Sequence, residues 1–296
     1  MKTTMKLHIP SGKKIVLINH DDFGMNFGAN QAFKEIVKAG TFNSTSVMPV
    51  CPWFPDAVSM YEEKQDLNIG VHLTLTSEWN SYRWGPLSTV SKKSGLIDQD
   101  GYFWSRRQMV MDSVVPDAAE EEFRAQIERV INAGIKITHI DCHMGVGFVP
   151  DLFDIYINLG KEYKVPVLIP TNIKEILNLY KLHNMEMEFY KERIESLEKE
   201  GYPLVDHFLI TPCFDKGKAV KGYKKLFRGV EDGITVLSLH PNTEKCIMDI
   251  DPGMAHVRIE EYEVFTKEIT SEWFQENNIR VINYRDILEF MPRFSK

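Results

Sequence analysis

The chain has 296 residues, 43% apolar and 11% aromatic, enough to bury the core of one enzyme-sized domain. Its 35 basic residues against 42 acidic ones give a net charge of -7, and no Lys/Arg run exceeds a pair, which argues against nucleic acid or an anionic membrane as partner. Four scattered cysteines (Cys51, Cys142, Cys213, Cys246) with no Cys-x-x-Cys spacing argue against a disulfide framework or a zinc ribbon and for a reducing compartment.

Along the chain, the apolar run 15–18 is followed at once by Asn19 and His20. It is too short for a secretory core or a membrane span, so a cytoplasmic location is expected. Short apolar runs at 14–20, 44–50, 69–76, 138–143, 167–170, 206–210, 234–240 and 280–284 read as strands. Amphipathic stretches separate them, such as 31–39 stopping at Gly40 and 120–133 stopping at Gly134. Eight strands alternating with helices predict a (β/α) barrel, a distorted TIM-like barrel of seven or eight parallel strands, as a single domain spanning 1–296.

Two segments interrupt the rhythm and read as insertions within that domain. Segment 77–116 holds Trp79, Tyr82, Trp84, Tyr102, Phe103 and Trp104. Two readings stand side by side: a satellite core under a long loop, or a substrate-stacking surface with Trp84 as the contact. Segment 173–201 is charged and helical and reads as a solvated surface helix pair.

Polar residues collect where strands end: His20-Asp21-Asp22, then His72, then His139, Asp141 and His143, then His240. In parallel α/β folds the C-terminal strand ends form one rim, so these residues are expected to converge there. Alone, each is weak evidence, because a strand-end His is often structural and an Asp is often a helix cap. Accumulation over four strands is harder to dismiss. Imidazole and carboxylate donors suit Zn²⁺ or a similar divalent ion, and Asp22, His72 and His143 are assigned as ligands. Asp21 is then free to act as a base, since two adjacent buried carboxylates need separate roles. Asp141 is expected to support a histidine from behind, and His139 to be a core residue. Cys142 should face the helices as packing. His240, before Pro241, reads as a general acid, with a structural histidine as the rival.

The motifs Asn19-His20-Asp21-Asp22-Phe23-Gly24, Gly70-Val71-His72-Leu73-Thr74-Leu75, Thr138-His139-Ile140-Asp141-Cys142-His143, Leu239-His240-Pro241 and the closing segment from Asn278 to Asp286 stand in this order over nearly the whole chain. This set resembles the YdjC-like carbohydrate deacetylases, a family that includes chitooligosaccharide deacetylases. The resemblance implies that Asp21 is the proton acceptor, that Asp22, His72 and His143 hold a metal, that His240 lies in a late His-Pro motif, and that Arg258 is an arginine near the substrate. The family commonly has two further histidines after the last ligand, where this chain has Gly145 and Gly147. The expected activity is hydrolytic removal of N-acetyl groups from an amino sugar or short oligosaccharide, with one divalent ion, zinc or alternatively magnesium. A small carbohydrate is the expected partner, and a homodimer is compatible with the sequence. The rivals are a metal-dependent hydrolase of another ester or amide, and a catalytically silent sugar-binding protein. The sequence lacks the Gly-rich cradle with its Lys that phosphoryl transfer would need.

Overall fold

The computed structural model describes residues 13–179 and 187–288. Among the described residues there are nine parallel strands: β1 (Lys14–Phe23), β2 (Ser44–Val47), β3 (Asn68–Leu73), β4 (Ile140–Cys142), β5 (Ile169–Pro170), β6 (Leu204–Val205), β7 (His207–Ile210), β8 (Gly233–Leu239) and β9 (Ile279–Ile282). Each of the eight expected strand positions carries one, and the expected strand 206–210 is joined by β6.

Seven strands form one sheet in the order β4-β3-β2-β1-β8-β7, with β9 also paired to β1. β1 is the axis: β8 runs beside it from Lys14 to His20, β9 flanks its first half, and β2 flanks its end. The expected closed barrel is not formed. The sheet is an open half-barrel, and the break lies between β4 and β7. There the described residues offer only the two-residue pair β5-β6 and a single bridge, Ile140 to Val167. Pro166 and Pro170 bracket this stretch, and a residue without an N–H cannot extend a ladder.

Alternation along β1 sorts its residues between two cores. Ile15 and Leu17 face the concave side with Val205, Ile234, Val236 and Tyr284. Val16 and Ile18 face the helices and join the larger core. The helix Phe27–Ala39 covers that outer side; Asn26 caps its start by accepting from Ala29 N, and Gly40 ends it in the left-handed conformation at φ 74.

Residues 77–116 contain the short helix Arg107–Ser113 and a packed layer around buried Trp84, Leu96, Ile97 and Phe103. Trp84 Nε1 donates to Thr76 O at 2.8 Å and Trp104 Nε1 to Gly95 O at 2.7 Å, so both indoles are tied to backbone. In segment 173–201 the helices Ile173–Leu179 and Met187–Glu200 each bury one face, Tyr190 completely. The pair is therefore an amphipathic surface pair, docked by one face with the other solvated, as expected from its charge. Residues 180–186 lie outside the described ones.

His139 has the core role expected of it. Its ring stacks on Tyr284 with centroids 3.3 Å apart, and it is completely buried. Room for it exists because residue 70 is glycine: a Cβ there would meet His139 Nε2 at 2.3 Å. Gly70→Ala should therefore destabilise the fold by roughly 1–3 kcal/mol, the usual cost of overpacking, seen as melting roughly 2–10 °C lower. An unchanged melting temperature would show that the His139 ring can move aside.

Candidate active site

Four strand ends, the turn after β4 and the helix Ala255–Phe265 build the site. Alternation continues from Leu17 to carry Asn19 and Asp21 onto the concave face, while His20 falls beneath the helix Phe27–Ala39, its ring 5.5 Å from that of Phe33. The same alternation would turn Asp22 away from Asp21. Instead the pairing of β1 with β2 shifts register between His20 and Phe23, and Asp22 adopts φ 65. That left-handed conformation is one that Asp tolerates better than most residues. The irregularity brings both carboxylates into one site.

His72 and Asp141 are paired across β3 and β4, so both side chains project to the concave side. His72 Nδ1 bonds Asp141 Oδ1 at 2.7 Å, which leaves Nε2 facing Asp22 Oδ1 at 3.6 Å. His143 begins the turn His143–Phe148, where Met144 (φ 51) and Gly145 (φ 68) reverse the chain. Its Nδ1 lies 3.1 Å from the same Asp22 oxygen. The Asp22, His72 and His143 donor atoms all fall within 4.8 Å of one another, and the three residues are buried.

Asp22 Oδ1 and His72 Nε2 have no hydrogen-bond partner although both are buried. Two unsatisfied buried atoms aimed at one point, with a second imidazole alongside, fit a divalent cation ligated by one oxygen and two nitrogens. The other Asp22 oxygen, Oδ2, accepts from Arg258 Nη1 at 2.8 Å. Burial disfavours charge on Asp22, yet His143 and the Arg258 guanidinium outweigh it and hold the carboxyl well below its usual range.

Asp21 has the opposite environment. Burial, reinforced by the nearby Asp141 carboxylate, pushes it up to about 8. Asn19 Nδ2 donates to Asp21 Oδ1 at 2.7 Å, which leaves Oδ2 facing His240 Nε2 at 3.8 Å. Burial holds His240 down to about 3, so its ring is neutral. Beside Asp21 and Asp141 lies a cavity of about 20 Å³ whose walls include Phe148, Tyr156, Ser238 and Tyr284. It has room for one water-sized group.

Of the residues singled out in the sequence, Asp21, Asp22, His72, Asp141, His143, His240 and Arg258 converge here. Trp84 lies behind the site: it is 4% exposed, and its ring centroid is 6.3 Å from that of His143. Cys142 is buried, and its thiol bonds the Tyr156 hydroxyl. That same tyrosine explains Gly147, where a Cβ would meet the Tyr156 ring at 2.7 Å.

Sequence reasoning missed Glu78, whose Oε2 lies 3.0 Å from His143 Nε2. No spacing rule connects a residue beyond the end of β3 to one beyond the end of β4. Asn19, a polar residue ending an otherwise apolar inward row, carries a signal legible in the sequence. Carboxylates behind ligating histidines fix ring orientation and raise donor strength. Glu78→Gln should weaken divalent-ion affinity by about 10-fold to 100-fold, measured by calorimetric titration. Unchanged affinity would leave Glu78 with only a packing role.

The profile of the YdjC-like protein family matches residues 15–276. A protein of Thermoanaerobacter pseudethanolicus named carbohydrate deacetylase is 27% identical over 272 residues, covering 92% of this chain and 98% of its own. A carbohydrate deacetylase of Clostridium beijerinckii is 28% identical over 276 residues, covering 92% of this chain and 99% of its own. Among solved structures, an Enterococcus faecalis protein described as a cellobiose-phosphate cleavage protein superposes with a TM-score of 0.74 at 26% identity, covering 93% of this chain and 99% of that one.

Proposed function

We propose, from the fact that this chain belongs to the YdjC-like family, that it is a metal-dependent carbohydrate N-deacetylase. It is a hydrolase acting on a linear amide C–N bond, releasing acetate from an acetylated amino sugar or short oligosaccharide. The observation that carries this reading is the pair Asp21 and His240 standing beside the Asp22-His72-His143 cluster. A proton acceptor and a proton donor thus flank one cation site.

Asp22, His72 and His143 would hold the divalent ion, with zinc favoured by the nitrogen-rich donor set and magnesium the alternative. When bound, such an ion polarises an acyl carbonyl and acidifies water. Asp141 and Glu78 hold the two imidazoles from behind, and Arg258 holds the far oxygen of Asp22. Asp21 takes a proton from the attacking water through Oδ2, the oxygen that Asn19 leaves free. His240 delivers a proton to the departing amine, which would otherwise be a poor leaving group. The small cavity beside Asp21 has room for the attacking water. Trp84 shapes the wall behind His143, and Arg258 fixes the edge nearest the sugar. Its substrate would be a small carbohydrate.

The test is acetate release from N-acetylglucosamine and its oligomers with added Zn²⁺, Mg²⁺ or Co²⁺. Release that depends on the ion and disappears with chelator supports the reading. Hydrolysis confined to other esters or amides, or saccharide binding with no acetate from any substrate and ion, would replace it with one of the two rivals.

A further inference from the structure

His240 sits where three elements meet: the end of β8, the loop after β7 and the helix Ala255–Phe265. Its Nδ1 is 2.7 Å from Thr211 Oγ1, a contact in which either atom could be the donor. The hydroxyl of Thr211 also bonds the carboxylate of Glu261, which is 1% exposed. Glu261 in turn accepts from the His240 backbone N at 2.8 Å and from the Tyr223 hydroxyl at 2.6 Å.

Burial raises the Glu261 carboxyl to about 7, while the Tyr223 hydroxyl and the His240 backbone N–H both donate to it and favour its ionised form. With Glu261 ionised, these contacts allow one assignment of protons: the carboxylate only accepts, so the single proton of the Thr211 hydroxyl points to it. The hydroxyl oxygen then meets Nδ1 with a lone pair, and Nδ1 must carry the hydrogen. A neutral imidazole has one N–H, so Nε2 is left bare.

We infer that Thr211 and Glu261 are positioning residues that fix the tautomer of His240, keeping Nδ1 protonated so that Nε2 offers a lone pair toward Asp21. The inference rests on the proposed role of His240 as proton donor and supplies the step before it. The proton that Asp21 takes from water crosses the bare Nε2 to the amine nitrogen in one motion as the C–N bond breaks, because His240, whose pKa is held far below that of Asp21, does not retain it. One water is consumed, acetate and an amine leave, and both side chains return to their starting protonation. As the proton crosses, the Glu261 charge acts on the His240 ring through the Thr211 hydroxyl. A carboxylate bonded to a catalytic imidazole does the same directly in hydrolytic triads. With the other tautomer, Nε2 would already hold its hydrogen and could not receive the proton from Asp21.

The first measurement is nitrogen NMR of the whole protein labelled at its histidine rings, with the His240 signals identified by their loss in His240→Gln. Above about pH 7, where Glu261 is ionised, the expected pattern is a protonated Nδ1 and a bare Nε2. Thr211→Val keeps the shape and removes the relay, so kcat should fall on the order of 10²-fold, the low end for a positioned acid–base group, with KM little changed. Thr211→Ser should restore both the rate and the NMR pattern. A wild-type ring carrying its hydrogen on Nε2 overturns the inference, as does Thr211→Val with undiminished kcat. The wild-type spectrum does not depend on turnover or on the folding of any variant. It therefore decides the tautomer even if no acetylated sugar proves to be a substrate.

Discussion

Asp21→Asn should release acetate on the order of 10³-fold more slowly than wild type, within the range that a general base contributes, while binding divalent ions as before. Asparagine has the same shape, and its carbonyl oxygen can still accept from Asn19, which now bonds Asp21 Oδ1. What it cannot do is take a proton from water. The variant should also melt no lower than wild type. Charging Asp21 is opposed by burial and by the Asp141 carboxylate, so a neutral group of equal size relieves an unfavourable charge. Lower activity with equal or greater stability is the mark of a group kept for chemistry at some cost to the fold. Kinetics and melting on one preparation check both halves. Wild-type rates in the variant would move the base to another residue.

The strand ends carried most of the site in the sequence because β-structure translates spacing directly into facing. Residues 19 and 21 share a face with 15 and 17, and His72 meets Asp141 once β3 and β4 pair in parallel. The rim of a parallel sheet did the rest. Departures from regularity were not legible. Nothing in Asp21-Asp22 announces that residue 22 takes φ 65, yet without that turn Asp22 would point at the helices and the cluster would lack its oxygen ligand. Glu78, Thr211 and Glu261 were hidden for a related reason. They reach the site from loops and a helix, where position along the chain does not set direction. The open half-barrel was missed because counting strands does not show which of them pair, and β5 and β6 are too short to join the two edges. The segment 77–116 remained ambiguous for a simple cause. A tryptophan that packs and one that binds sugar look alike in sequence, and Trp84 packs directly behind His143.

Asp22→Ala should abolish the response to metal altogether. Saturating Zn²⁺ at about 100 times its dissociation constant stabilises a folded site by about 2.7 kcal/mol, so the wild-type protein should melt measurably higher with metal than with chelator. In Asp22→Ala the two melting curves should coincide, and acetate release should be lost. The substitution has a second consequence, which would confuse the result if left unseparated. Asp22 Oδ2 is the partner of Arg258, whose side chain is 14% exposed, so removing the carboxylate strands a largely buried cation. Breaking such a pair costs about 3 kcal/mol, at the lower end for buried pairs because some solvent reaches the guanidinium. The single variant should therefore melt below even the metal-free wild type. Adding Arg258→Met removes the stranded charge while keeping apolar bulk. The double variant should recover most of the lost stability and still show no metal response. If stability and metal response return together, the cation is held by other residues, and Asp22 serves only as the counter-ion of Arg258.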